Sequence, residues 1–194
     1  MATFATFSPF LSSWEGGYTN KKNDRGGETY RGVTAGVWAA YCKKQGITSP
    51  LKKMTQAQWA DIMQSGYWDA VRASDLRSQS VANQVADFAV NAGTSRAART
   101  LQQAVNEANH NSALKVDGTI GPKTIAAANA VSSSTLYWTY RELRTAYYKS
   151  LAAKNPKQKT FLNGWLRRVS ALGFGKFTLN DLRSTEIYFT DATT

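Results

Sequence analysis

The chain has 194 residues, 42% of them hydrophobic and 12% aromatic, which is enough apolar surface for a packed core and excludes wholesale disorder. A net charge of +11 points to anionic partners, and no apolar stretch approaches the roughly 20 residues of a membrane span. Cys42 is the only cysteine and His110 the only histidine, so an intrachain disulfide is excluded and a metal centre is not expected.

Ser8 and Pro9 read as a helix start, a capping hydroxyl followed by proline at the first helical position. Phe7, Phe10, Leu11 and Trp14 then recur with the spacing of one buried face, and Glu15, four residues after Leu11, shares it. Gly16 and Gly17 are expected to close this helix through a left-handed cap. The Gly-rich segment from Tyr18 to Thr34 reads as a hairpin or irregular ribbon, and the strand candidates flank it. Thr34 opens a helix to about Cys42, whose thiol is expected to be buried and inert beside Trp38. Thr55 to Gln58 is a capping box, with Met54 and Trp59 as its hydrophobic staple, opening a helix to about Tyr67.

Further helices are expected over residues 78–91, ended by Gly93, and 95–109. Pro122 starts another after the Asp117–Gly118 turn. Two more span about 134–154 and 159–172, separated by Pro156. In the first of these, Leu136, Tyr140, Leu143, Tyr147 and Leu151 form the apolar stripe, which leaves Arg141, Arg144 and Tyr148 for the opposite side. After Gly173 the pattern fades into a short helix and a loose tail. The fold class is therefore all-α, or α+β at most with a small hairpin near residues 18–34. Without long repeats or low-complexity linkers, residues 1–194 read as one compact domain. It divides into a lobe at 1–94 carrying Glu15, a helical lobe at 95–175 and a tail at 176–194.

The residues that carry chemistry begin with Glu15. An acid on an apolar face loses solvation, which disfavours its charged form and suits it to donate a proton. Asp24 follows in the next loop, and Thr29 lies five residues further on. Acid-catalysed cleavage of a glycosidic bond needs one acid on the leaving oxygen and a second carboxylate, or a positioned water, on the other face of the sugar. Glu15 and Asp24 fit the two acids, and Thr29 fits a hydroxyl that holds the water. The plainer alternative has Glu15 pairing with Arg25 or Arg31 and the glycines forming an ordinary turn, while Glu28 reads as a solvated hairpin residue. Tyr18 is a candidate substrate contact beside the acid. Asp87 and Asn91 share one helix face. Asn91 suits an N-acetyl group and Asp87 an alternative second carboxylate, with capping or packing as the competing reading for both. Asp117–Gly118 and Gly121–Pro122 are turn chemistry first. Trp165, Tyr137 and Trp138 are candidates to stack on sugar rings, against a plain core role.

Residues 15–34, EGGYTNKKNDRGGETYRGVT, resemble the signature of glycoside hydrolase family 108. VADFAVNAG from Val85, LQQAVN from Leu101, VDGTIGPKT from Val116 and FLNGWLRRV from Phe161 are similar to the rest of that family, so the resemblance runs from about Phe7 to Leu172. It departs at Arg25 and Val33, neither of which touches the proposed acid. The order Glu, Asp, Thr also resembles the triad of phage-type lysozymes, where the gap from Asp to Thr is slightly longer. The resemblance implies a lysozyme-like helical fold, a predicted peptidoglycan-binding region in the second half, and no cofactor or metal.

The implied activity is an N-acetylmuramidase acting on the β-1,4 bond between N-acetylmuramic acid and N-acetylglucosamine. Glu15 would protonate the glycosidic oxygen, Asp24 would stabilise the transition state or activate water, and Thr29 would orient that water. Family members occur as phage endolysins and as bacterial secretion-associated muramidases. No basic residue precedes Lys21, so no targeting segment is expected. An endolysin of this kind is expected to be a monomer that waits in the host cytoplasm until a membrane lesion admits it to the periplasm and wall. Two rivals stand beside this reading: a lytic transglycosylase cutting the same bond, and a non-catalytic basic module binding cell wall or nucleic acid. Residues 141–176 hold nine Lys or Arg against the single acid Glu142, a charge that would draw the chain to anionic wall or outer-membrane polymers.

Overall fold

The computed structural model describes residues 1–19 and 27–191. Helix α1 spans Phe4–Trp14, one turn longer at its start than Ser8 and Pro9 predict. Thr3 is the cap, its hydroxyl accepting from the Thr6 N–H at 3.3 Å. Pro9 therefore lies inside the helix, where it leaves the Ala5 carbonyl without its usual N–H, and the Ser8 hydroxyl donates to that carbonyl at 3.4 Å. The helix ends without a left-handed glycine. Glu15 itself turns extended (φ −82°, ψ 132°), and neither Gly16 nor Gly17 has positive φ. An extended exit feeds the chain directly into a strand.

That strand, β1 (Tyr18–Thr19), pairs with β2 (Thr29–Tyr30), which pairs with β3 (Val33–Thr34), all antiparallel. Arg31 (φ 50°) and Gly32 (φ 77°) join β2 to β3 with positive φ at both central positions, the geometry of a type I′ hairpin turn. Arg31 is no glycine and is held there by contacts. Its guanidinium donates to the Ser12 hydroxyl at 2.9 Å and lies 4.7 Å over the Trp59 ring, while its carbonyl accepts from the Trp59 indole at 2.9 Å.

Thr34 caps α2 (Ala35–Gln45), which ends at a left-handed Gly46. Both bonds of the Thr55–Gln58 capping box form at the start of α3 (Gln56–Met63), and the chain continues as a π-turn through Trp68. Ser78 caps α4 (Gln79–Ala92), whose residues 79–89 are all buried. Helices α5 (Thr94–Ala108) and α7 (Ser133–Lys154) pack on α4, α8 (Lys159–Ala171) packs on α7, and α6 (Pro122–Ala130) packs on α5.

Burying α4 on every side obliges its polar side chains to find partners. Gln84 donates to the Leu172 carbonyl at 3.1 Å, Ser80 accepts from the Gly175 N–H at 2.9 Å, and Asp87 takes two arginines. One of them is Arg144, which the stripe pattern assigned to the solvent side. With α7 covered by α4, α5 and α8, Arg144 and Tyr148 are buried instead.

The described residues after Gly173 hold no helix. Strands β4 (Leu172–Gly173), β5 (Lys176–Thr178) and β6 (Glu186–Tyr188) form a second antiparallel sheet. Phe177 is fully buried and meets Phe10 edge-on at 5.6 Å. The Asp191 carboxylate accepts from the Gln79 and Ser80 N–H groups at 2.9 and 3.1 Å, placing negative charge at the N-terminus of α4. One apolar core thus runs from Ala2 to Phe177 through both halves of the chain. The Asp117–Gly118 turn is docked on α5: Gly118 donates to the Gln102 amide oxygen at 2.9 Å, and Gln102 donates back to Asp117 at 2.8 Å.

Candidate active site

Glu15 sits where α1 ends and the first sheet begins, with a side chain 10% exposed. Its surroundings are not the apolar pocket that periodicity predicts. Oε1 accepts from Arg168 Nη2 at 2.9 Å, a charge-assisted bond between residues 153 apart in sequence. Neither Arg31, which serves Ser12, nor any nearer arginine among the described residues pairs with it. Oε2 lies over Gly32 so closely that a Cβ built there would stand 2.1 Å from it. Gly32 is thus required twice, by its positive φ and by the carboxylate resting on its Cα. Tyr67 faces the same acid from the π-turn. Burial raises its phenol, and the Glu15 charge raises it further.

Behind Glu15 the ion pairs continue into the core. Arg168 reaches Asp87 Oδ1 through Nε at 2.8 Å and through Nη2 at 2.7 Å. Asp87 Oδ2 pairs with Arg144, whose other terminal nitrogen donates to the Gln84 side chain at 2.9 Å. Burial pushes the Asp87 carboxyl up, but the Arg168 and Arg144 guanidiniums beside it outweigh that and hold it below the usual carboxylate range. Desolvation works against the charge on Arg168 too, and Asp87 with Glu15 overcomes it, leaving the guanidinium harder to deprotonate than usual. Two acids and two arginines form a charge-balanced set, the condition under which buried ions are tolerated.

The other candidates divide. Asp24 lies outside the described residues. Thr29 is in β2 opposite Thr34, its hydroxyl 3.5 Å from the Gly27 carbonyl, and no hydrogen bond among the described residues joins it to Glu15. Tyr18 is in β1 opposite Tyr30, with the Lys52 ammonium 4.2 Å over its ring. Asp87 has no exposed side-chain surface and both oxygens are taken, so it anchors Arg168 and offers nothing to a sugar. Asn91 is exposed at the end of α4, its amide donating to the Asp87 carbonyl at 2.7 Å. Trp165 is stacked on Tyr148 at 5.0 Å. Arg168, Gly32 and Tyr67 were not singled out from sequence. For Arg168 a signal existed: it follows Trp165 by three residues and precedes Leu172 by four, a cation on an apolar stripe.

A family model described as glycosyl hydrolase 108 matches residues 9–93, and one described as a predicted peptidoglycan domain matches residues 96–170. Among solved structures, that of Brucella abortus SagA is similar, with 31% identity, a TM-score of 0.70, and cover of 87% of this chain and 90% of that one. The chain belongs to glycosyl hydrolase family 108. No curated protein matches it. As a family 108 member it is a peptidoglycan-degrading enzyme with a mostly helical, lysozyme-like fold. Glu15 lies in the hydrolase segment and Arg168 in the peptidoglycan segment, so the two matched regions meet at that ion pair. No helix among the described residues is long and apolar enough to cross a membrane.

Proposed function

We propose that this enzyme is an N-acetylmuramidase that hydrolyses the β-1,4 bond between N-acetylmuramic acid and N-acetylglucosamine, with Glu15 as general acid. The observation that carries the reading is the clamping of the Glu15 carboxylate between Arg168 and Gly32 at the mouth of the sheet. With Oε1 bonded to Arg168, Oε2 is the oxygen left to carry the proton to the glycosidic oxygen. Asp24 then supports the oxocarbenium-like transition state or activates water, and the Thr29 hydroxyl orients that water. Tyr18 and Asn91 border the sugar sites in this reading. The basic surface gathers the enzyme on anionic wall polymers. As a monomeric phage endolysin it would wait in the host cytoplasm until lysis and then reach the wall.

The test is release of reducing ends from purified peptidoglycan by the parent and by Glu15→Gln, each first shown to be folded by circular dichroism. Rapid release by the parent and almost none by the variant, with reducing muramic ends in the mass spectrum, supports the proposal. Products ending in 1,6-anhydro sugars would make the enzyme a lytic transglycosylase. Equal release by both proteins would remove Glu15 from the role. The anomer formed first, read by NMR, reports inversion or retention and so the part played by Asp24.

A further inference from the structure

Local sequence leaves the end of α1 without support. Its last turn holds no Lys or Arg, and no left-handed glycine closes it. Pro9 takes one bond from its middle, and the bond from the Glu15 N–H to the Leu11 carbonyl, at 3.1 Å, is its last. Glu15 moreover sets a carboxylate at the negative pole of the helix. A helix end of this kind depends on partners from elsewhere in the fold.

Those partners all come from residues 167–180. The Ser13 hydroxyl accepts from the Asn180 N–H at 3.0 Å, the Trp14 indole donates to the Thr178 carbonyl at 3.3 Å, and Glu15 accepts from Arg168. Arg167 links them: its guanidinium lies 5.7 Å from the Trp14 ring and donates to the Asn180 side chain at 3.3 Å. Beneath them Phe177 packs on Phe10, and Phe10 on Trp14. Three consecutive residues are thus tied to three points of the C-terminal chain. Successive residues leave a helix about 100° apart. One tie would let the helix end roll about it, and three in different directions do not. Thr178 and Asn180 lie beyond both matched segments, which end at residues 93 and 170.

We propose that the β5–β6 strand pair is a positioning element for catalysis, and that Ser13 and Trp14 are the positioning residues through which it sets the Glu15 carboxylate. The inference rests on the reading of Glu15 as general acid. Arg168 grips one oxygen of that carboxylate but does not fix the backbone from which the side chain springs. Ser13 and Trp14 fix that backbone, so Arg168 and the strand pair hold the two ends of one side chain. A displacement of about 1 Å at either end is enough to cost about a hundredfold in rate.

The experiment compares the parent with the double variant Ser13→Ala/Trp14→Phe, which loses both bonds and keeps an aromatic ring beside Phe10. Ser132→Ala, which removes the cap of α7, is the control for lost stability. Reducing-end release is measured well below the melting temperatures. The double variant should lose about tenfold in kcat, with KM within about twofold of the parent, while Ser132→Ala keeps the parental kcat. Added to Glu15→Gln, the double change should cause no further loss of the residual rate. By hydrogen exchange, the Glu15 amide should exchange about tenfold faster in the double variant. A kcat within about twofold of the parent, an equal loss in Ser132→Ala, a further loss in the Glu15→Gln background, or unchanged exchange at Glu15 would each overturn the inference and leave Glu15 as the acid. Full activity of Glu15→Gln by itself would overturn the acid reading, and this inference with it.

Discussion

Replacing Arg168 by Met removes two charge-assisted hydrogen bonds, one to Asp87 Oδ1 and one to Glu15 Oε1, and a further ion contact to Asp87 Oδ1, while keeping similar apolar volume. Breaking a buried ion pair by deleting one partner costs about 3–5 kcal/mol. Here Asp87 retains Arg144 and Glu15 is partly exposed, so the lower end, about 3 kcal/mol, is expected. For a domain of this size that lowers Tm by about 6–12 °C. Arg168→Lys keeps the charge but not the planar fork, and one ammonium does not serve Asp87 and Glu15 with the same geometry. Its stability loss should be smaller, while kcat falls about 10–100-fold because the proton donor is no longer fixed.

The assays are thermal unfolding by circular dichroism and initial rates of reducing-end release, with kcat and KM separated. The decisive comparison is a cycle with Glu15→Gln. If Arg168 acts by positioning Glu15, Arg168→Lys should have no further effect on the residual activity of Glu15→Gln. A fully active Arg168→Lys, or an additive loss in the Glu15→Gln background, refutes the argument that Arg168 works through the acid. An unchanged Tm for Arg168→Met refutes the argument that the ion set supports the core.

Gly32→Ala places a methyl 2.1 Å from Glu15 Oε2 at a φ of 77°. It should cost about 1–2 kcal/mol in backbone strain, and about a hundredfold in kcat through displacement of the acid; an active Gly32→Ala would show that Oε2 need not lie there. The folded-state pKa of Asp87 is depressed below its unfolded value, so the unfolded chain takes up that proton first as pH falls. Its stabilisation is fully present above about pH 4 and is lost as pH drops through the lower folded value. The stability difference between the parent and Asp87→Asn, from urea midpoints, should therefore shrink in acid, and a constant difference would contradict the depressed pKa. Asp191→Ala removes the carboxylate at the N-terminus of α4 and should cost about 1–2 kcal/mol by urea titration; no loss would return the C-terminal segment to the status of a tail.

The sequence by itself determined what local chemistry controls. Thr34, Thr55, Ser78 and Pro122 mark their helix starts because a cap is decided within three residues of itself, and the structure forms each of them. The place of Glu15 at the end of an apolar turn was legible for the same reason. What packing decides was not legible. Strands of two and three residues are too short to show an alternating pattern, so β5 and β6 read as a tail although Phe177 is wholly buried. Helix α4 is poor in large apolar residues, and only its position among α5 and α7 reveals that Gln84 and Asp87 are interior groups needing partners. Arg144 read as a surface cation until the fold buries it against Asp87. The partner of the acid was beyond any local pattern, because Arg168 is 153 residues away and meets Glu15 only when the helices pack.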